Sequence, residues 1–344
     1  MSDGERIPLR RAFIIWLLVG LVTLLGTVAT LAALAPLTYS ASAFVERYFD
    51  GLAGGHVAEL LRTPGVQLSD AALAELGVPT NTSRALLTSG VISNAPTDVT
   101  ITADELGEAG EHVVTVSYSL AGTAHTARYV ISPEPALFGV IPRWSFASSP
   151  LQLLSVTVQN GTHFSANDLT LDVRAATAGE STGVSQTGHY LAFAPAVYTL
   201  HYSSSLVTAD PAPVAVLPDS ENVATVAIQP TSALVERVQG KLDGFLADCV
   251  TQRVLQPAGC PFGAAIDDRV LGDPTWSIVQ NPVVTLAPGP DGFEMPATPG
   301  IVHLVVPVQN LFDGTESTVD TDIDYRVGVV VEIMDDDSIS IRLR

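Results

Sequence analysis

The stretch Ser42-Ala43-Phe44-Val45-Glu46-Arg47-Tyr48-Phe49-Asp50-Gly51-Leu52 sets Phe44, Val45, Tyr48, Phe49 and Leu52 on one face at helical spacing. It predicts an amphipathic helix, and the patterns on its two sides set the fold class. Upstream there is no Asp, Glu, Lys or Arg from Ala12 to Val45, and Phe13 to Leu34 is an almost unbroken run of Leu, Val, Ala and Ile. Downstream the apolar period changes from helical to alternating. The stretch therefore stands where a predicted membrane anchor gives way to a predicted α+β domain.

About 23 helical residues reach roughly 35 Å, enough to cross a hydrocarbon core about 30 Å thick. Trp16 and Tyr39 sit near the two ends of the run, where amphipathic rings favour the interface. Arg6, Arg10 and Arg11 precede it, whereas Arg47 beyond it is offset by Glu46 and Asp50, so positive charge puts the N-terminus in the cytoplasm. The reading is a cytoplasmic tail over 1–11, a transmembrane helix over 12–36 marked by Phe13, Trp16 and Leu34, and everything after it outside. A cleaved signal peptide competes, because Ala33-Leu34-Ala35 and Ala41-Ser42-Ala43 offer small-residue cleavage sites. The run is longer than the roughly 7 to 15 apolar residues of a signal peptide, and either reading exports the rest.

Cys249 and Cys260 are the only cysteines and lie in one segment. An oxidising compartment joins such a pair, while the spacing is neither C-x-x-C nor accompanied by a nearby His, so a structural disulfide is predicted. Of the 36 acidic residues only Asp3 and Glu5 precede the apolar run, and the net charge of the chain is -20. That balance disfavours nucleic acid and anionic lipid headgroups as partners of the exported part, and it suits solubility at a crowded surface. Lys241 is the single lysine, and Ala, Val, Thr and Gly dominate, as in proteins of GC-rich bacterial genomes.

Three units are predicted beyond the anchor. In the first, residues 37–149, the helix is followed by short helices through Leu60-Leu61 and Ala71 to Leu76. Alternation then appears at Val99 and Ile101, at Val114, Val116, Tyr118 and Leu120, at Ala127, Tyr129 and Ile131, and at Trp144 and Phe146: a four-stranded antiparallel meander. Residues 150–230 alternate throughout, with Asn160-Gly161 as a hairpin signal after Leu154, Val156 and Val158, and read as a small β-sandwich. Residues 231–344 open with a second amphipathic helix through Leu234, Val238, Leu242 and Leu246 and return to strands, the last two turning at Asp335-Asp336-Asp337. Ser232-Ala233-Leu234-Val235-Glu236-Arg237 matches Ser42 to Arg47 at all but one place, and Asp243-Gly244-Phe245 answers Asp50-Gly51-Leu52. A duplication of the helix-plus-sheet unit is expected.

A helix on a curved antiparallel sheet resembles the cone-shaped fold of the nuclear-transport-factor-2-like superfamily and its cystatin-like relatives, over residues 42 to 148 and again over 232 to 344. The order of anchor, helix-plus-sheet unit and small β-unit ending in Ala194-Pro195-Ala196-Val197-Tyr198-Thr199-Leu200 is similar to the teicoplanin-resistance-associated membrane proteins of Gram-positive bacteria. Ala196 stands where that family commonly has Gly, and no cysteine-bearing ribbon precedes the run. The resemblance implies a cell-envelope role without known enzymatic chemistry.

Most hydrolytic chemistry is excluded at the level of residues. A Ser-x-x-Lys nucleophile needs a lysine three places after serine, and the residue three before Lys241 is Val238. There is no H-E-x-x-H, and the expected disulfide occupies both thiols. The histidines are scattered singly, with His112 and His125 placed to face each other across the turn that follows Leu120. Asp320, Asp322 and Asp324 share one strand face, which reads as a solvated face because an EF-hand start would need Gly at Tyr325 and Glu at Val331. The expectation is a non-enzymatic protein without cofactor, partnered by the lipid bilayer and by envelope proteins or wall polymers. The alternatives are a ligand-binding or hydrolytic pocket in a cone-like unit, and a passive spacer.

Overall fold

The computed structural model describes residues 13–23, 26, 39–75, 77–79, 81–137, 141–177, 185–334 and 338–344. Residues 13–23 are helical (α1), and their apolar side chains, Phe13 and Trp16 among them, are exposed and belong to neither core. The hydroxyl of Thr23 bonds back to the carbonyls of Val19 and Gly20, so its polarity is satisfied inside the helix. Among the described residues no helix is long and apolar enough to cross a membrane. Apart from Gly26, the predicted span beyond residue 23 lies outside the described residues, as do Arg6, Arg10, Arg11 and Leu34.

Helix α2 (Ala41–Ala53) begins where Ser40 accepts a hydrogen bond from the Ala43 amide, and it buries the apolar face quoted above. That face packs on a meander of β1 (Thr97–Leu106), β2 (His112–Leu120), β3 (Thr123–Leu137) and β4 (Ile141–Phe146), paired in chain order. Aromatic rings fill the space between helix and sheet: Phe44 lies 5.0 Å from Phe146, Tyr48 5.3 Å from Phe146 and Phe49 5.6 Å from Tyr118. Each such ring contributes roughly 1.5 to 3 kcal/mol by leaving water. Two short helices, α3 (Val57–Leu60) and α4 (Asp70–Glu75), carry the chain around the sheet. Between them Gly65 has φ 79°, and a Cβ there would collide with the Phe146 backbone, so only glycine fits.

The middle unit has two sheets. One is ordered β12-β10-β9-β6-β7 and the other β11-β5-β8, from β5 (Leu151–Gln159), β6 (His163–Ala166), β7 (Leu169–Asp172), β8 (Ser185–Phe193), β9 (Ala196–Ser203), β10 (Val207–Val216), β11 (Asn222–Ala227) and β12 (Gln229–Pro230). The predicted hairpin at Asn160-Gly161 is corrected here. The chain does turn there, with Asn160 at φ 59°, but β5 and β6 belong to different sheets, so the turn carries it across the sandwich. Local turn chemistry specifies the bend and leaves the pairing partner open.

In the last unit α5 (Ser232–Cys249), capped by the Thr231 hydroxyl, buries Leu234, Val238, Leu242 and Leu246. Its sheet is built from β13 (Arg269–Val270), β14 (Thr275–Gln280), β15 (Ala287–Gly289), β16 (Gly292–Gln309), β17 (Glu316–Ile333) and β18 (Ile339–Leu343). The long β16–β17 hairpin forms its spine, and the other four strands pair along it. The Asp335 to Asp337 turn lies outside the described residues. Cys249 and Cys260 are bonded, tying the end of α5 to the loop after it.

The hexamer match between the first and last units is accompanied by the same burial pattern: Phe44 and Leu234 are buried at the start of each helix, and Tyr48 and Val238 one turn later. The downstream match is not, since Gly51 is buried against Leu60 whereas Gly244 is exposed.

The buried apolar side chains form two clusters. One joins α2 and the meander to Leu151, Leu191, Phe193 and Val197 of the sandwich. The other runs without a break from the sandwich interior into the last unit, and it takes in Leu86 and Val91 from the segment before β1. That segment is stitched to the sandwich by bridges from Ser83 to Tyr190 and from Asn94 to Val197. The hydroxyl of Tyr48 completes the join, donating to the Ala194 carbonyl at 2.7 Å.

Candidate functional site

A cavity of about 290 Å³ lies where the open end of the sandwich meets the last sheet. Its sandwich wall starts at the sheet-crossing turn. The left-handed backbone at Asn160 re-aims the chain, and Gly161 leaves room for Ile228, whose side chain would meet any Cβ there. His163 opens β6, with its Nδ1 2.9 Å from the Thr162 hydroxyl and its ring stacked on Tyr202 at 6.2 Å. Gln186, near the start of β8, pairs with Val158 on β5 and so stands beside the turn. The opposite wall comes from the last unit: Gly292 and Phe293 at the start of β16, and Val331 to Met334 where β17 ends.

Two of the residues lining this cavity carry a buried side-chain oxygen with no hydrogen-bond partner among the described residues, Asn160 Oδ1 and Gln186 Oε1. Leaving a buried acceptor unpaired costs about 1 to 3 kcal/mol, so such groups call for an explanation. The charged groups nearby are already engaged. Glu332 is paired with Arg342, and Asp172, beneath His163, holds Arg174 at 2.8 Å. The Arg174 hydrogen bond, against the opposing effect of burial, keeps the Asp172 carboxyl below its ordinary pKa. Among the described residues, the cavity is thus lined by apolar and uncharged polar side chains together with His163 and the paired Glu332.

The other predicted residues distribute as follows. Asp320 and Asp322 lie on the exposed face of β17, as expected of a solvated strand, and both reach across to His303 on β16, at 3.1 and 2.8 Å. The hydrogen bond His303 donates to Asp322, with the negative charge of both carboxylates, raises the His303 pKa against the opposing effect of burial. Asp324 pairs with Ile301 instead. The expected meeting of His112 and His125 does not occur, because the β2–β3 register sets His112 against Ile131 and His125 against Tyr118. A hairpin turning directly after Leu120 puts these two residues at opposite ends of the pair. His112 instead meets Asp104 on β1 at 2.5 Å, and the same carboxylate accepts from the Ser42 hydroxyl at 2.5 Å. Burial pushes the Asp104 carboxyl up, and the hydrogen bonds from Ser42 and His112 outweigh it, leaving its pKa lowered. Trp144 packs edge-on against His112 and donates its indole N–H to the Tyr39 carbonyl. This cluster fastens Tyr39 and the start of α2 to the first sheet. Lys241 is exposed on α5.

One serine and one histidine do meet: Ser155 Oγ and His189 Nδ1 are 3.1 Å apart across β5 and β8. Among the described residues no carboxylate ion-pairs with His189. The cavity residues Asn160 and Gln186 were not singled out as site residues by sequence. Only the Asn-Gly turn gave a signal, and it was a signal for backbone shape.

The fold defines a β-rich α+β protein with several sheets and few helices. No family model, curated protein or solved structure matches the chain.

Proposed function

We propose that the protein is a single-pass cell-envelope protein of the cytoplasmic membrane, whose large outer portion binds, senses or scaffolds without enzymatic chemistry. The observation that carries this reading is α1. Its apolar side chains face outward from both cores, and a helix apolar all round requires a nonaqueous surrounding. Three further features support it. The arginines lie on the N-terminal side of the run. The cysteine pair is bonded, as in an oxidising compartment. The cluster of Tyr39, Ser42, Asp104, His112 and Trp144 ties the chain to the folded part immediately after the apolar run, which holds the first unit close to the bilayer. In the same reading the two helix-on-sheet units are cone-like, and the resemblance of the sequence to the teicoplanin-resistance-associated proteins suggests envelope proteins and wall polymers as the partners.

The test is topological. A full-length chain tagged at both ends is expressed in bacteria, and intact spheroplasts are treated with external protease. The C-terminal tag should be lost, the N-terminal tag retained, and the untreated protein should stay in the membrane pellet through an alkaline carbonate wash. A protected C-terminal tag, or release of the intact chain by carbonate, would refute the reading.

A further inference from the structure

We propose that the outer edge of β17 is a docking site for an extended, basic segment of another protein, which adds to the last sheet as a further strand. β16 and β17 pair without a register shift from Thr298 and Val327 to Gln309 and Glu316, whereas on its other side β17 pairs with β18 only over Val329 to Ile333. Among the described residues, no strand pairs with that side from Glu316 to Val327. The direction of the backbone follows from its two ends. Pro307, opposite Thr318, has no N–H and turns its carbonyl to the Leu271 amide, away from β17, and Gly328 accepts from the Arg344 amide on the β18 side. Alternation between these points aims the N–H and C=O groups of Thr318, Asp320, Asp322, Asp324 and Arg326 at the open edge, where an added strand would bond to them. Protein edges are ordinarily blunted by bulges, proline or lysine. β1, the outer strand of the first sheet, has two register shifts against β2. The open length of β17 has no shift, proline or lysine.

The side chains define the partner. Asp320, Asp322 and Asp324 are exposed on the outer face of the sheet, whereas Val319 and Ile323 pack against the core. A strand laid along the edge sets alternate residues beside each row, so the segment that fits alternates lysine or arginine with apolar residues. His303 and Arg326 are the only cationic side chains of β16 and β17, and with Glu316 beside the three aspartates this face stays net negative even when His303 is protonated. A second copy is a poor occupant. Two such edges paired about Asp322 set aspartate against aspartate, and like charges directly opposite are destabilising.

The proposal rests on the binding role given above and names its partner class, but its test reads binding whichever side of the membrane the edge occupies, so the two can fail separately. Full-length protein in zwitterionic phospholipid nanodiscs is titrated into a fluorescein-labelled nine-residue peptide alternating valine and lysine, and anisotropy is followed. Binding should be saturable. Asp320→Asn, Asp322→Asn and Asp324→Asn together should weaken it about 3- to 150-fold, as loss of three exposed ion pairs does. Asp322→Asn and Asp322→Pro remove the same charge, but only proline removes an edge N–H while sparing the bonds to β16, so it should bind a further ~3- to 10-fold more weakly. A peptide of the same composition with its lysines grouped at one end cannot match the alternation and should lose most of the affinity. Circular dichroism checks that the variants fold, and the grouped peptide tests strand geometry without altering the protein. The proposal is overturned by no saturable binding, by equal binding of the grouped peptide, or by equal binding to the folded Asn and Pro variants. Self-pairing of the wild-type protein in sedimentation, lost in Asp322→Pro, would assign the edge to a second copy and overturn it as well.

Discussion

Removing one oxygen atom from either of two tyrosines in the first core should have opposite consequences. Tyr48 on α2 and Tyr129 on β3 are both buried, their rings are 6.4 Å apart, and burial raises the pKa of both phenols. Tyr48 donates to the Ala194 carbonyl across 146 positions of sequence, whereas the buried Tyr129 hydroxyl has no partner among the described residues. Tyr48→Phe keeps the ring packing but deprives a buried carbonyl of its donor, which costs about 1 to 3 kcal/mol. Tyr129→Phe removes an unsatisfied group and should be neutral or stabilising by up to about 1 kcal/mol. Native-state hydrogen exchange on the α2 amides reads both without requiring the whole chain to unfold in one step. Protection should fall about 5- to 150-fold in the first variant and hold or rise in the second. Equal loss in both, or loss only in Tyr129→Phe, would refute the view that Tyr48 ties the first unit to the sandwich.

Other consequences are as direct. Replacing both Cys249 and Cys260 by Ser opens a short loop and should lower stability by about 2 to 3 kcal/mol on chain-entropy grounds, seen as a lower urea midpoint that added reductant no longer shifts. Gly65→Ala should cost more than about 1 kcal/mol, because its Cβ meets backbone that cannot swing aside; thermal unfolding checks it, and an unchanged midpoint would mean the turn relaxes freely. His303 should titrate above the ordinary histidine value by NMR, and Asp322→Asn should bring it down. Because its folded pKa is raised, its contribution to stability is complete below the unfolded value of about 6.5 and is lost as pH rises through the folded one. Asp104 runs the other way: its folded pKa is lowered, so its contribution is present above the unfolded value and lost as pH falls through the folded one. Ser42→Ala should move its carboxyl titration upward.

Much of the secondary structure is legible from periodicity alone. Phe44, Tyr48 and Leu52 mark the buried face of α2, and Val114, Val116, Tyr118 and Leu120 the buried face of β2, because one solvent-facing side forces the pattern. The pattern fails where no face is exposed. Residues 190–198, between and within β8 and β9, are buried throughout and carry no alternation. Segment 81–96 has no regular period either, so nothing local reveals that Leu86 and Val91 complete the core of the next unit.

The amino-acid order was sufficient for the apolar run and its flanking arginines, the amphipathic faces of α2 and α5, and the pairing of the only two cysteines. Each is a local pattern or a matter of composition. Tertiary structure alone settled which sheet the Asn160-Gly161 turn feeds, which carboxylate each histidine meets, and that Gln186 stands beside Asn160 over a shared cavity. Strand partners are chosen by contacts among residues far apart in sequence, and a change of register or of sheet leaves the local alternation of apolar residues intact. The surfaces that meet at the cavity are brought together only when the sandwich and the last sheet close over one core.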